Sequence, residues 1–436
     1  MTGPHDDDAR TPAVCLDVGS CWTKAVLVHP DGTLAGFAEH PTTGADVLAG
    51  VDAAVAGVSA SSGRAGSEPD VLACSSAGGS LRLAVVGVER LAAVEAAHQV
   101  CRSAGARVVH VHAGPLEGGA VRELRSNQPG VVLLIGGSDG DDPEVLLHNA
   151  SRIARARGRY PVVLAGNSSA RDDALGLLRA TGRTVTACPN VVPRPGEIVP
   201  EPARAAVAEL FSRHVLGVGS ATVGPRFRRM VRTRTPVAVS DGVPALAEVA
   251  GTGVVVVDVG SATTDVHSAS PDPDAGPHPL GTVEGDLGVR SSASGILIEA
   301  QTEGIIDPVE ADLLAPAVET LVTSGASVPT DHGSAAEDRR LAAVAAVVAL
   351  RRHLRRLDGD RERIGLVVLT GGVFRQRDRA GLTAVAETVR RDPGLMELVG
   401  DVDVRVDSGS VLAPAGLLAT HGRSTAAVVL LRDLVG

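Results

Sequence analysis

Residues 252–268 read Thr252-Gly253-Val254-Val255-Val256-Val257-Asp258-Val259-Gly260-Ser261-Ala262-Thr263-Thr264-Asp265-Val266-His267-Ser268, and their reading decides the rest of the chain. An apolar run delivers the Asp258 carboxylate to a turn where Gly260 lets backbone amides converge, and hydroxyls follow at Ser261, Thr263 and Thr264. Such a pattern makes a cradle for phosphate and metal. About 240 residues earlier, Ala13-Val14-Cys15-Leu16-Asp17-Val18-Gly19-Ser20-Cys21-Trp22-Thr23-Lys24 repeats it, with the same Asp-Val-Gly-Ser run, and leads into a second apolar stretch at 25–28. A third buried run, Leu366-Val367-Val368-Leu369-Thr370-Gly371-Gly372-Val373, opens into glycines, which suits close approach of a flat ring or a sugar.

Lys24 is the one lysine in a chain whose Lys and Arg together number 41. Arginine has replaced lysine everywhere else, yet the first cradle keeps the compact ammonium, which a planar guanidinium cannot replace in a tight phosphate turn. A surface lysine following a hairpin is the plain alternative.

The 436 residues have room for two or three domains and a cleft between them. Apolar residues make up 44% but aromatics only 1%, so the core is aliphatic and stacking platforms for single-stranded nucleic acid are lacking. A net charge of −10 argues against nucleic acid and anionic membranes as partners. Neither a secretory leader nor an apolar run long enough to span a bilayer is present, so a cytoplasmic location is expected. The five cysteines have no Cys-x-x-Cys spacing, which fits reduced, mostly buried thiols. The thirteen histidines have no zinc-protease spacing, which argues against a transition metal held by protein ligands.

Along the chain, residues 1–10 read as a disordered head, and 13–39 as an antiparallel meander of three strands. Helical spacing covers 45–58, a Ser/Gly-rich loop covers 59–69, an apolar stretch opening into small residues covers 71–79, and a further strand covers 81–86. From 89 to 189 helices alternate with buried strands, which implies a parallel sheet covered on both faces. Within that region Gly136-Gly137-Ser138-Asp139-Gly140 is only loosely like a dinucleotide fingerprint, because the third glycine is missing; packing or partner docking explains it better. Five prolines stiffen 189–202, and Arg226–Arg232 is a basic cluster open to three readings: a solvated face, an acidic partner's dock or a nucleic-acid patch. Arg351–Arg356 reads as a solvated helix C-terminus. The expected division is 11–88 with 216–250 as one half, 89–215 as an inserted Rossmann-like α/β module with its connector, and 251–436 as the second half.

Two carboxylates at strand ends, each beside a Gly-Ser turn, suit Mg²⁺ held largely through water. In this arrangement Asp17 and Asp258 position the metal, while Gly19, Ser20 and Lys24, with Thr23 beside them, grip the β- and γ-phosphates of ATP. Gly260, Ser261 and Ala262 grip from the opposite half, Thr263 and Thr264 orient the attacking water or bond the γ-phosphate, and Gly371 and Gly372 admit the adenosine. Phosphoryl transfer needs mainly positioning and charge stabilisation, so no cysteine or histidine nucleophile is required. No general base stands out; Asp241 and Asp265 are the weak candidates.

The three turns resemble the two phosphate motifs and the adenosine motif of the superfamily of actin, sugar kinases, acetate kinases and heat-shock ATPase chaperones. That resemblance implies two ribonuclease-H-like halves closing over ATP. A counterpart to the sugar-kinase catalytic aspartate is missing. Within the superfamily the chain looks most like the MutL/GlmL family of glutamate mutase-associated proteins, which is distinct from the mismatch-repair protein called MutL. The carrying residues are Leu16–Ser20 with Thr23-Lys24, Cys74–Gly79, Gly136–Gly140 with Asn149-Ala150, Ala165-Gly166-Asn167, Asp258–Asp265, Glu284–Gly288 and Thr370–Gly372. The resemblance implies an ATP-dependent accessory or reactivating protein for an adenosylcobalamin-dependent mutase such as glutamate mutase. Two other readings remain open at this point: a small-molecule kinase acting on a sugar or carboxylate, and a nucleotide-binding scaffold without turnover. The oligomeric state is not legible.

Overall fold

Both Asp-Val-Gly-Ser runs fold as hairpins. β1 (Ala13–Val18) pairs antiparallel with β2 (Trp22–Val28), which pairs antiparallel with β3 (Leu34–Pro41), while β4 (Asp70–Ser75) runs parallel along the other side of β1. The computed structural model describes residues 11–42, 46–61, 69–76, 80–101, 104–158, 160–215, 225–272, 280–324, 329, 331–357, 363–375 and 378–435. The expected head at 1–10 and most of the loops expected at 59–69 and 271–279 lie outside them, as do Ala77, Gly78 and Gly79.

The next five strands form a sheet of their own: β5 (Leu81–Gly87), β6 (Ala106–Ala113), β7 (Val131–Leu134), β8 (Val162–Leu164) and β9 (Val185–Ala187). All its pairings are parallel and its order is β6-β5-β7-β8-β9, the doubly wound order found in flavodoxin-like proteins. β5 therefore leads this sheet, although the sequence division had placed 81–86 with the first half. Its residues are almost wholly buried, as a central parallel strand requires, and that composition alone does not say which sheet a strand joins.

The chain then returns. β10 (Val231–Arg234) adds parallel to β4 and completes the first sheet in the order β10-β4-β1-β2-β3. The second hairpin opens the last sheet, with β11 (Gly253–Val259), β12 (Thr264–Ala269), β13 (Leu280–Glu284), β14 (Ile364–Thr370) and β15 (Asp403–Val406) in the order β13-β12-β11-β14-β15. Numbered from its own first strand, each of these two sheets reads 3-2-1-4-5, which is the ribonuclease-H-like arrangement occurring twice in one chain.

Contacts divide the protein into two compact units. One comprises Met1–Gly79, Val215–Thr282 and Leu287–Gly436 and holds both hairpins; the other comprises Ser80–His214 and Val283–Asp286.

Valine makes β11 a central strand. Val254 and Val256 face the core shared with the helix Thr235–Ala250, and Val255 and Val257 face the core shared with the helix His332–Leu354, following the two-residue alternation of a pleated strand. The first unit's two sheets each send a helix out of their fifth strand, Thr235–Ala250 after β10 and Leu412–Thr420 after β15. These helices meet backbone to backbone: a Cβ at Gly416 would collide with the Ala238 carbonyl oxygen.

One expectation is overturned on the helix His332–Leu354. Arg351 and Arg352 are buried, not solvated. Arg351 makes a two-pronged pair with Asp392, at 2.8 and 2.6 Å, and Arg352 bonds Glu303 at 2.8 Å and also pairs with Glu299. Bidentate geometry offsets the cost of dehydrating a guanidinium, which a basic run read in isolation cannot reveal.

Candidate functional site

The two hairpin turns are built alike. Gly19 N–H donates to the Trp22 carbonyl at 2.9 Å, and Gly260 N–H donates to the Thr263 carbonyl at 2.9 Å. A Cβ at either glycine would stand 2.8 or 2.9 Å from that carbonyl oxygen, which is why glycine occupies both places. The N–H groups of Ser20, Cys21, Ser261 and Ala262 donate to nothing among the described residues. Carbonyls of the turns are engaged: Thr42 N–H donates to the Cys21 carbonyl, Val289 N–H to that of Gly260, Arg290 N–H to that of Ser261, and the Ser292 hydroxyl to that of Ala262. Two pairs of free amides are what an anion such as a phosphate requires.

Register sets what flanks each turn. Asp17 lies opposite Lys24 and Asp258 opposite Asp265. Lys24 Nζ donates to Asp17 Oδ2 at 3.4 Å, and the other carboxylate oxygen, Oδ1, accepts the Thr235 hydroxyl at 2.6 Å. Burial acts to lower the Lys24 pKa, but attraction from Asp17, Asp258 and Asp407 outweighs it and holds the ammonium above its ordinary value. Asp258 is pushed up to about 6 by burial, opposed by Lys24 and reinforced by Asp17 and Asp407. Asp17 and Asp258, one from each sheet, thus act on the same ammonium.

Asp407 and Thr235 join this cluster and were missed by sequence reasoning. Asp258 sits beside Thr370 across β11 and β14, and the Thr370 hydroxyl donates to Asp407 Oδ2 at 3.0 Å just beyond β15. Val411 and Leu412 N–H groups also donate to Asp407, at 3.1 and 3.3 Å. Burial raises its pKa against the pull of those donors and of Lys24. A signal existed: Val406-Asp407-Ser408-Gly409-Ser410 again carries a strand into Asp, Gly and Ser.

Gly371 takes a φ of +125°, and a Cβ there would collide with the Val259 carbonyl, so the β14 turn can only be made by glycine. Gly372 follows at the start of a short 3-10 turn, Gly372–Arg375.

Two threonines do not occupy the expected place. Thr264 is fully buried and its hydroxyl donates to the Leu287 carbonyl at 2.7 Å; Thr23 is fully buried with its hydroxyl 3.0 Å from that of Thr42. Both face inward because the tight turns place the residues opposite Val18 and Val259 on the core side of each hairpin. The Ser20 hydroxyl is likewise committed, to the Ser76 carbonyl at 3.1 Å, so Ser20 has its amide rather than its side chain to offer. Thr263 lies at the second turn with its hydroxyl 3.5 Å from Asp265 Oδ2. Asp265 also acts on Arg234, whose pKa burial lowers. Asp241 lies on the helix after β10, where burial raises its carboxyl pKa.

The residues fit a hard divalent cation. Asp17 bonds the Lys24 ammonium and the Asp258 and Asp407 carboxylates act on it, and that surplus of negative charge is what Mg²⁺ would neutralise. No three His, Cys, Asp or Glu residues among the described ones are grouped as direct metal ligands. The ion would therefore rest on Asp17 and Asp258 largely through its own water, as Mg²⁺ prefers.

Elsewhere, the Gly136–Gly140 turn after β7 is knitted into its own unit. Asn190 Nδ2 donates to the Gly137 carbonyl at 3.0 Å and to Asp139 at 2.9 Å, and Asn167 Oδ1 accepts Gly140 N–H at 3.3 Å. In the basic cluster, Arg226 pairs with Asp52 at 2.9 and 2.6 Å on the surface. No helix among the described residues is long and apolar enough to cross a membrane.

Comparison with known proteins follows the same lines. A family model described as MutL protein matches residues 13–434. Protein MutL of Clostridium tetanomorphum is 32% identical over 296 residues, a match covering 64% of this chain, and the chain spans 64% of that relative's length. Among solved structures, a glucokinase of the ROK family from Streptomyces griseus aligns over 97% of this chain and 98% of its own, with 12% identity and a TM-score of 0.36. Component A of the (R)-2-hydroxyglutaryl-CoA dehydratase of Acidaminococcus fermentans aligns over 98% of this chain and 100% of its own, with 10% identity and a TM-score of 0.32. TM-scores of that size carry no argument, so the fold rests on strand order and the family on the sequence match.

Proposed function

The chain belongs to the MutL protein family, whose model spans residues 13–434, and from that premise we propose an ATP-binding, Mg²⁺-dependent ATPase that serves as accessory or reactivating protein to an adenosylcobalamin-dependent mutase such as glutamate mutase. One observation carries the nucleotide part: the single lysine bonds Asp17 at 3.4 Å while drawing on Asp258 and Asp407 from the other sheet.

In this reading the free amides of Ser20, Cys21, Ser261 and Ala262 hold phosphate oxygens from two sides, and Lys24 supplies a fixed positive charge between them. Asp17, steadied by the Thr235 hydroxyl, and Asp258 hold the water shell of the metal. When bound, Mg²⁺ would withdraw charge from the transferring phosphoryl group. Thr263, backed by Asp265, orients the attacking water. Gly371 and Gly372 leave backbone-wide space for the nucleoside.

Calorimetry of MgATP and MgADP, with phosphate release followed in parallel, tests the nucleotide part. Saturable binding and slow release that depend on Asp17 and Asp258 are expected. Release that appears only with an added sugar or carboxylate would point to a kinase, and binding indifferent to both carboxylates would sink the reading. The partner part is tested by adding the protein and ATP to an inactivated cobalamin mutase, where recovery of mutase activity must need both.

A further inference from the structure

Arg375, at the end of the Gly372–Arg375 turn, reaches from the second sheet's side to the first hairpin. Its guanidinium carbon lies 4.0 Å from the ring centroid of Trp22, the one tryptophan in the chain and the last residue of the first cradle's turn. Its Nε is 3.2 Å from Glu39 Oε2, and Glu39 stands opposite Lys24 in the pairing of β2 with β3. Arg375 also lies against Gly372: a Cβ built there would be 3.6 Å from Arg375 Nη1. The side chain therefore spans from the glycine pair of the third turn to the wall of the first.

Its pairing is incomplete. Nη1 is buried without a hydrogen-bond partner among the described residues, and the contact with Glu39 is an ion pair and not an aligned hydrogen bond. A guanidinium that is dehydrated but only partly satisfied holds less firmly than a two-pronged pair such as Arg351 with Asp392. A ring contact and one loose ion pair make a link that breaks at modest cost, which suits a part that must move.

We infer that Arg375, Trp22 and Glu39 form a gate, closed as these side chains stand, that covers Gly372 and must release before a nucleotide can settle between the two cradles. This rests on the nucleotide reading above and adds control of entry to it. Glu39 and Trp22 hold Arg375 in place, so loosening either speeds entry while leaving the phosphate amides and Lys24 intact.

Stopped-flow binding of a fluorescent N-methylanthraniloyl-ADP with Mg²⁺ tests the gate in the full chain. Glu39→Gln and Trp22→Leu should each raise the association rate constant by about fivefold, in keeping with the strength of a single cation–π contact or of one half-buried, poorly aligned ion pair. In wild type, unlabelled MgADP should increase acrylamide quenching of Trp22, and Glu39→Gln should show the increased quenching without nucleotide. The partly exposed, isosteric Glu39→Gln is the variant least able to disturb folding, and its melting curve checks that. Binding with association rates within twofold of wild type, and Trp22 quenching blind to nucleotide, overturns the gate alone. Absence of nucleotide binding in calorimetry overturns the parent reading and the gate with it.

Discussion

The first and second cradles share strand order, turn geometry and register, yet they carry opposite chemistry. In the first, Asp17 has an ammonium across the hairpin, Lys24, and a hydroxyl donor, Thr235, at the exit of the fifth strand. In the second, Asp258 has a carboxylate across the hairpin, Asp265, and another carboxylate, Asp407, at the corresponding exit. Asp17 is compensated on its own side, whereas Asp258 leans on an ammonium from the other sheet and has its pKa pushed up to about 6. In the proposed reading the repeated fold supplies one half that grips and one half that needs a cation, so that a duplicated scaffold serves a single site.

Removing Lys24 should break this comparison most severely. Lys24→Met leaves three buried or half-buried carboxylates with no opposing charge, and losing one partner of such a set costs about 3–5 kcal/mol. Nucleotide affinity measured by calorimetry should fall by roughly a hundredfold or more. Lys24→Arg should not restore it, because the planar fork does not fit a point-charge site.

A smaller effect separates the two aspartates by pH. Asp258 titrates at about 6, so lowering the pH through that value protonates it and removes a metal-holding charge. MgADP affinity should drop about tenfold per pH unit below 6. Asp258→Asn should start weak and lose that dependence, while Asp17→Asn should start weak and show it at lower pH, because the Asp17 charge helps to raise Asp258.

The cradles were legible in the sequence because each is local: strand, carboxylate, glycine and hydroxyl fall within a dozen residues. Lys24 stood out by being alone. Thr235 and Asp407 did not, because parallel strands from distant segments bring them in: Thr235 reaches Asp17 across 218 residues, and Thr370 reaches Asp407 across 37. Thr23 and Thr264 were assigned to phosphate or water because spacing places them next to the turn, but a one-residue difference in a strand decides between cleft and core. The same lack of tertiary context made Arg351 and Arg352 look solvated and left the Arg375 to Trp22 contact unseen.

The halves also differ in their response to acid. On β12, His267 takes the hairpin place that Val26 holds on β2, and it is buried with neither ring nitrogen partnered among the described residues. Burial pushes His267 down to about 4 and its neighbour His353, bonded to Thr282 and Ser268, down to about 3. Folded values below the ordinary 6.5 mean that the unfolded chain takes up protons first. Stability from these groups is intact above about 6.5 and drains away as the pH falls towards 4 and 3. Amide exchange between pH 6.5 and 4.5 should show the second hairpin's sheet loosening before the first, and His267→Val should narrow that gap.

The smallest effects belong to the paired threonines. Thr23→Val and Thr264→Val should each cost about 1 kcal/mol in chemical denaturation, the usual worth of one buried hydrogen bond. Neither should change phosphate release at saturating ATP by more than about twofold, since their hydroxyls are committed to the core.

The most direct measurement is a double-mutant cycle on MgADP affinity with Asp17→Asn, Asp258→Asn and both together. If the two carboxylates serve one metal-nucleotide complex, the double variant should bind scarcely more weakly than the worse single variant, with a coupling of about 1 kcal/mol or more. Losses that simply add, or a full affinity retained by either single variant, would contradict a shared site.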